Sequence, residues 1–162
     1  KEKGVEELIQ SFLGANLEKL NLKIIGEGPL LAYLKETYAS SKIDYLGQVD
    51  NKSVLKIIQG SQAVVTATKL LEGQPTLLCE ASSLGIPSIF PRSGGISEFF
   101  PKSCKLSFEQ FNYEDLTSKL KLLADENLLK VEGKNNSKYI SNYLDEKEMI
   151  ARFTQIVKNI DE

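Results

Sequence analysis

Two carboxylates eight positions apart, Glu72 and Glu80, bracket the segment Gly73-Gln74-Pro75-Thr76-Leu77-Leu78-Cys79, where a loop is expected to run into a helix. Pro75 suits the first helical turn, because its ring fixes φ and its missing N–H would have had no partner there. The amides of Thr76 and Leu77 are then expected to lie free at a helix start, where aligned peptide dipoles gather roughly half a positive charge. Such a terminus binds anions, and a phosphate is its natural ligand. Glu72 would stand beside that anion and Glu80 about one to two turns along the helix, each accepting hydrogen bonds from hydroxyl groups. A phosphate joined to something uncharged and hydroxyl-rich, as in a nucleotide sugar, meets all of these conditions.

The elements that must position these residues alternate along the whole chain. Short apolar runs predict strands at Leu22–Ile25, Ile43–Leu46, Ala63–Ala67, Pro87–Phe90 and, briefly, Lys105–Phe108. Between them, Val5, Leu8, Ile9, Phe12 and Leu13 recur at helical spacing, as do Leu30, Leu31, Leu34 and Tyr38, and then Val54, Leu55, Ile57 and Ile58. This alternation predicts an α/β fold, a parallel sheet covered by helices, with Gly60 and Gly85 as helix caps and Pro87 opening the next strand. Leu116, Leu120 and Leu123 continue helically until the polar stretch from Glu132 to Ser137, which is expected to interrupt or bend the path. Asp145 then caps a last helix spanning 145–160, whose stripe of Met149, Ile150, Phe153, Ile156, Val157 and Ile160 reads first as core, and second as a face for a partner domain.

Composition narrows the chemistry. At 162 residues the chain is one domain by size, able to bury about two-thirds of its unfolded surface. Twenty Lys plus Arg against 22 Asp plus Glu leave a net charge of −2, so no global field draws nucleic acid. The absence of histidine and the presence of only two cysteines, Cys79 and Cys104, exclude the common zinc ligand sets and any histidine base from this chain. No metal is expected. Without a disulfide framework, a leader or a long apolar run, a reducing cytoplasm is the expected setting. The chain starts with Lys1, which suggests a piece excised from a longer protein.

In order, Lys3-Gly4, Gly26-Glu27-Gly28-Pro29, Leu46-Gly47, Glu72-Gly73-Gln74-Pro75-Thr76-Leu77-Leu78-Cys79-Glu80-Ala81, Gly85-Ile86-Pro87 and Gly94-Gly95-Ile96-Ser97-Glu98 form one succession. It resembles the group 1, family 4 glycosyltransferases, and within them the C-terminal, nucleotide-sugar-binding half of a two-domain GT-B enzyme. The resemblance implies a Rossmann-like, doubly wound parallel sheet over residues 1–162, with the first strand and the N-terminal acceptor domain absent. It assigns Lys3 to the donor pyrophosphate, Glu72 to the sugar hydroxyls near the transferred carbon, and Glu80 to the ribose diol. Gly73 would let backbone approach the sugar, with Gln74, Thr76 and Leu77 around the donor. Gly26 and Gly28 would shape the cleft floor, Gln48 and Val49 would meet the base, and Glu98, after a flexible Gly94-Gly95 turn, would line the cleft. Lys69 offers either a second phosphate contact or an exposed surface lysine.

The implied activity is transfer of a sugar, a hexose or a relative, from a nucleoside diphosphate to a glycan or lipid-linked acceptor with retention of configuration and without a cofactor. It implies a bacterial surface-polysaccharide pathway at the inner face of the cell membrane, with peripheral association of the full-length protein and no turnover by this half alone. Departures are specific. The family's strand and Gly-Arg pair ahead of Lys-Gly are missing, Gln74 replaces a usual aromatic, Thr76 a frequent asparagine, and no glycine falls near Lys102-Ser103-Cys104. Competing readings are a non-catalytic nucleotide-sugar-binding module, a nucleotide-sugar epimerase of the same architecture, and a plain α/β interaction domain with solvated carboxylates.

Overall fold

The computed structural model describes residues 1–160, with side chains through Lys158. Helix α1 (Val5–Ala15) leads to β1 (Leu22–Ile25), α2 (Leu31–Thr37), β2 (Ile43–Gly47), α3 (Asn51–Gln59) and β3 (Val64–Val65). Then come α4 (Thr76–Ser83), β4 (Ser88–Arg92), a 3-10 turn at Ile96–Phe99, β5 (Ser107–Glu109), α5 (Tyr113–Lys121), a 3-10 turn at Leu122–Ala124, α6 (Glu126–Tyr143) and α7 (Glu146–Ile160). All strand pairs are parallel, and they form two groups, β1-β2 and β3-β4-β5. Parallel strands need crossovers, and the helices provide them on both faces.

Successive strand residues face opposite layers, as the period of two demands. Val65, Ile89 and Phe108 join Leu8 and Phe12 of α1 and Leu116 and Leu120 of α5 in one core. Val64 and Phe90 instead meet Leu78 of α4, with Ile96 and Phe100 closing that side. A third cluster sets Ile9 and Leu34 on Ile43, with Leu22 and Ile24 beside them, so α1 and α2 cover β1 and β2. The sheet is doubly wound, as expected. The inner edges are incomplete. β1 and β3 are not hydrogen-bonded to each other, and a cavity of about 910 Å³ lies between them.

Three expectations need correction. The stretch from Glu132 to Ser137 neither breaks nor bends the chain, because it lies inside α6. Glu132, Gly133 and Asn136 face inward while Lys134 and Asn135 stay exposed: Glu132 accepts from the Lys105 amide at 3.2 Å, and Gly133 lies against the Gly85 carbonyl, where a Cβ would come within 2.1 Å. The stripe of α7 is not core, since Met149, Ile150, Phe153, Ile156 and Val157 are exposed and the Ile160 side chain falls outside the described residues. Asp145 does cap that helix, accepting from the amides of Lys147 and Glu148 at 3.0 and 3.1 Å. The third strand shrinks from the expected Ala63–Ala67 to Val64–Val65, which has a ladder partner on one side only.

Candidate functional site

The carboxyl ends of the parallel strands face one rim of the sheet, the edge at which open α/β sheets bind ligands. Gly26–Gly28 follows β1, Gln48-Val49 follows β2, Thr66–Glu72 follows β3 and Ser93–Gly95 follows β4. Lys3 reaches this rim because the chain ahead of α1 is fastened to the extension of β3: the Lys69 amide donates to the Glu2 carbonyl at 2.8 Å. Gly4, at φ +64, presses so closely on Ala67 that a Cβ would come within 1.9 Å of its carbonyl oxygen. Only glycine takes this place, since both the left-handed backbone and the contact reject a side chain.

Lys3 Nζ then lies 2.6 Å from Glu72 Oε1, across 69 residues of sequence. The same Oε1 accepts from the Thr68 hydroxyl at 3.0 Å, and that hydroxyl accepts from the Leu70 amide at 3.2 Å. The Lys3 ammonium beside Glu72, with help from Thr68 and against partial burial, holds the Glu72 carboxyl below the ordinary carboxylate value. The pair therefore sets a half-buried anion beside an exposed cation, with the Lys3 side chain 64% exposed and that of Glu72 27% exposed. Thr68 escaped the sequence reading. Its only signal was a hydroxyl four residues ahead of Glu72, which gains meaning once the turn folds.

The loop carrying Glu72 rests on the Gly94-Gly95 turn. The Gly95 amide donates to the Glu72 carbonyl at 2.8 Å, and Ser93 Oγ donates to the Leu70 carbonyl at 3.2 Å. Gly94, at φ +51, would place a Cβ 2.5 Å from the Glu72 oxygen. This turn is thus a tight buttress, rather than the flexible segment expected. Gly73 faces open space.

Pro75 sits one position earlier than expected, as the cap of α4, with Thr76 opening the helix. The Thr76 amide turns back to the Gln74 carbonyl at 3.1 Å and so is not free; the Leu77 amide makes no backbone hydrogen bond. Thr76 and Leu77 are exposed at the helix start, and Gln74 has its amide side chain beside the Cys79 thiol, which burial pushes up. Glu80 lies one turn along α4, and Asn51, at the start of α3, points its Nδ2 to Glu80 Oε1 at 3.4 Å. Asn51 was not singled out by sequence either.

Gly26, at φ +119, donates to the Gly47 carbonyl at 2.7 Å, which draws the β1 and β2 ends together below Gln48 and Val49. Gly28 has no close neighbour. Two further candidates have partners of their own. Lys69 pairs with Glu7, which raises its pKa and occupies it away from Glu72. Glu98 lies against α6: Tyr139 donates to its carbonyl at 3.0 Å, and burial followed by the Glu98 carboxylate pushes the Tyr143 phenol up.

The family model of the group 1 glycosyl transferases matches residues 1–143. The chain belongs to the group 1 glycosyltransferases. Solved structures place the glycosyltransferase chain in the GT-B fold. It is similar to Anabaena Alr3699/HepE, solved in complex with UDP and glucose, at TM-score 0.78 and 16% identity, over 99% of this chain and 45% of that one. Sucrose-phosphate synthase from Thermosynechococcus elongatus matches at 0.78 and 19%, over 98% and 42%. The catalytic domain of cholesterol-alpha-glucosyltransferase from Helicobacter pylori matches at 0.78 and 22%, over 88% and 92%. The chain therefore spans less than half the length of the first two. Among curated proteins, none matches. Among the described residues of this glycosyltransferase, no helix is long and apolar enough to cross a membrane.

Proposed function

We propose that this chain is the donor-binding half of a retaining glycosyltransferase that moves a hexose or related sugar from a nucleoside diphosphate to a glycan or lipid-linked acceptor. The observation that carries the reading is the Lys3–Glu72 pair, set at the carboxyl rim of the sheet beside the start of α4. When the donor binds, its diphosphate replaces Glu72 as the partner of Lys3, and the released carboxylate accepts from sugar hydroxyls. As the glycosidic bond breaks, negative charge grows on the departing diphosphate. Lys3 and the Leu77 amide stabilise it without calling on a metal, and one such donor is worth roughly 2.7–4 kcal/mol of barrier. Glu80, steadied by Asn51, takes the ribose diol, and Gln48 and Val49 meet the base. The complex of the similar Anabaena protein with UDP favours uridine as that base.

The acceptor is held by a separate domain, so this half binds but does not turn over. A role in bacterial surface-polysaccharide synthesis at the cytoplasmic face of the membrane fits such acceptors. The test is a thermal-shift and calorimetric titration with UDP, GDP and their sugars in chelator, run beside Glu80→Ala. Stabilisation by a uridine nucleotide that weakens on Glu80→Ala is expected. A chain that ignores every nucleotide, or responds equally without Glu80, would overturn the reading.

A further inference from the structure

Lys3 has nearer carboxylates along the chain than the one it meets. Glu6 and Glu7, in the first turn of α1, lie three and four residues beyond it, the spacings at which side chains meet on a helix surface. Carboxylates suit that turn, because the amides at a helix start leave partial positive charge there. Lys3 nonetheless spans 69 residues to reach Glu72.

The reason lies in what holds the two nearer carboxylates. Glu7 pairs with Lys69, whose side chain is 33% exposed against 64% for Lys3, so water screens this pair less. The hydrogen bond to Glu7, against partial burial and with the help of the Glu7 charge, holds the Lys69 ammonium above the ordinary lysine value. Glu6, about 100° around the turn from Glu7, accepts through Oε1 from Tyr33 of α2 at 3.0 Å and from Tyr38, at the end of α2, at 3.1 Å. Gln10 donates to the Tyr38 hydroxyl at 2.7 Å, which leaves the phenolic proton for Glu6. The Glu6 carboxylate in turn pushes the Tyr33 phenol up, as the acceptor of its proton should. Each carboxylate of the turn is thus held by a different element. The Lys69 backbone is engaged separately, its amide donating to the Glu2 carbonyl at 2.8 Å, so its side chain can be changed without releasing the chain ahead of α1.

We propose that Lys69 is a positioning residue for sugar transfer: by occupying Glu7 it leaves Lys3 to Glu72 and, when the donor binds, to the diphosphate. Tyr33 and Tyr38 do the same at Glu6. Without Lys69, Glu7 competes for Lys3. Lys69 therefore acts on the donor through Glu7 and Lys3, without touching phosphate itself. The diphosphate part of this scheme rests on the donor reading; the division of partners among Lys3, Lys69 and Glu7 does not.

The test is a rescue. Lys69→Met, Lys69→Met combined with Glu7→Gln, and Lys69→Arg are compared by carbon NMR titration of the Glu72 carboxyl without nucleotide, and by calorimetric titration with UDP-glucose. Lys69→Met is expected to move the Glu72 titration upward, because Lys3 is drawn off, and to weaken UDP-glucose about 10-fold, the loss of one charge-assisted hydrogen bond. Adding Glu7→Gln is expected to return both to the parent values although the Lys69–Glu7 pair is still missing, and Lys69→Arg to change neither. A pair that served only to stabilise the fold would be lost equally in the single and the double variant. The proposal is overturned if Glu72 titrates in Lys69→Met as it does in the parent, or if Glu7→Gln restores nothing. A parent that binds no nucleotide overturns the donor reading and the diphosphate part of the proposal, while the Glu72 titrations still decide where Lys3 goes.

Discussion

A single methyl group added at Gly94 separates the buttress from the ligand contacts. In Gly94→Ala the new Cβ meets the Glu72 oxygen at 2.5 Å and the Glu72 nitrogen at 3.0 Å, and the residue must hold φ +51. The left-handed conformation costs about 1–2 kcal/mol for a side chain, and overpacking typically adds about 1–3 kcal/mol. To restore a contact of 3.0–3.4 Å, the Glu72 backbone must retreat by 3.0 − 2.5 = 0.5 to 3.4 − 2.5 = 0.9 Å. A net loss near ~3 kcal/mol lowers Tm by roughly 6–12 °C in a domain of this size. The displacement at Glu72 approaches the 1 Å misplacement that costs about 100-fold in a preorganised site. Gly73→Ala is the matched control: nothing lies within 4 Å of its Cβ, so Tm should move by no more than about 1–2 °C while donor affinity falls, because the methyl occupies the approach to the sugar. Differential scanning calorimetry with UDP-glucose titration on both variants reads the two effects. If Gly94→Ala melts early yet binds donor as the parent does, the turn does not place Glu72 and the reasoning fails.

Other consequences are as direct. Glu72 titrates below its usual 4.5, so its contribution to stability is full above that value and is lost as pH falls through the depressed one; Lys3→Met should move its titration upward, as carboxyl carbon NMR would record. An unshifted Glu72 in that variant would mean the ion pair is absent in solution. Thr68→Val keeps the shape but removes a hydroxyl bonded to Glu72 at 3.0 Å, with an expected loss of about 1.5–3 kcal/mol in donor binding or stability; Thr68→Ser should restore most of it. Gly133→Ala would stabilise an ordinary helix by up to about 1 kcal/mol, yet here its Cβ lies 2.1 Å from the Gly85 oxygen. Denaturant melts should therefore show a net loss, and a gain would mean that α6 does not press on that turn.

All five strands fall where apolar runs bounded by glycine or polar residues place them, because alternation and turn chemistry are local properties that survive folding. The roles of individual residues were less legible. That Lys3 and Glu72 belong to one site follows from motif order, but their 2.6 Å contact depends on Glu2 meeting Lys69 and Gly4 meeting Ala67, neither of which has a local signature. Gly94 looked like a flexible hinge, since a glycine pair announces only conformational freedom; the nearby Glu72 backbone is what makes it a support. Glu98 was drawn to the cleft by its motif, and nothing in the sequence showed that Tyr139 and Tyr143 of α6 would be its neighbours. For the polar stretch in α6, composition suggested a break, while burial of Glu132 and Asn136 and the close approach at Gly133 supply the opposite reason for those residue types.

The misreading of α7 has the same physical root as the shortening of β3. Hydrophobic periodicity identifies a face that is apolar, and carries no information on what lies against it. On α7 that face is exposed, with Phe153 68% accessible, although the helix has its cap at Asp145 and its Arg152 guanidinium stacks 4.4 Å over the Tyr143 ring. At β3 the apolar edge opens on a cavity with an unspent Val65 amide. The two surfaces nonetheless ask for different contacts. A helix stripe has no free backbone groups and is satisfied by side-chain packing alone, so it tolerates many partners; a strand edge demands donors and acceptors in register at 4.7–4.9 Å spacing, which few segments provide.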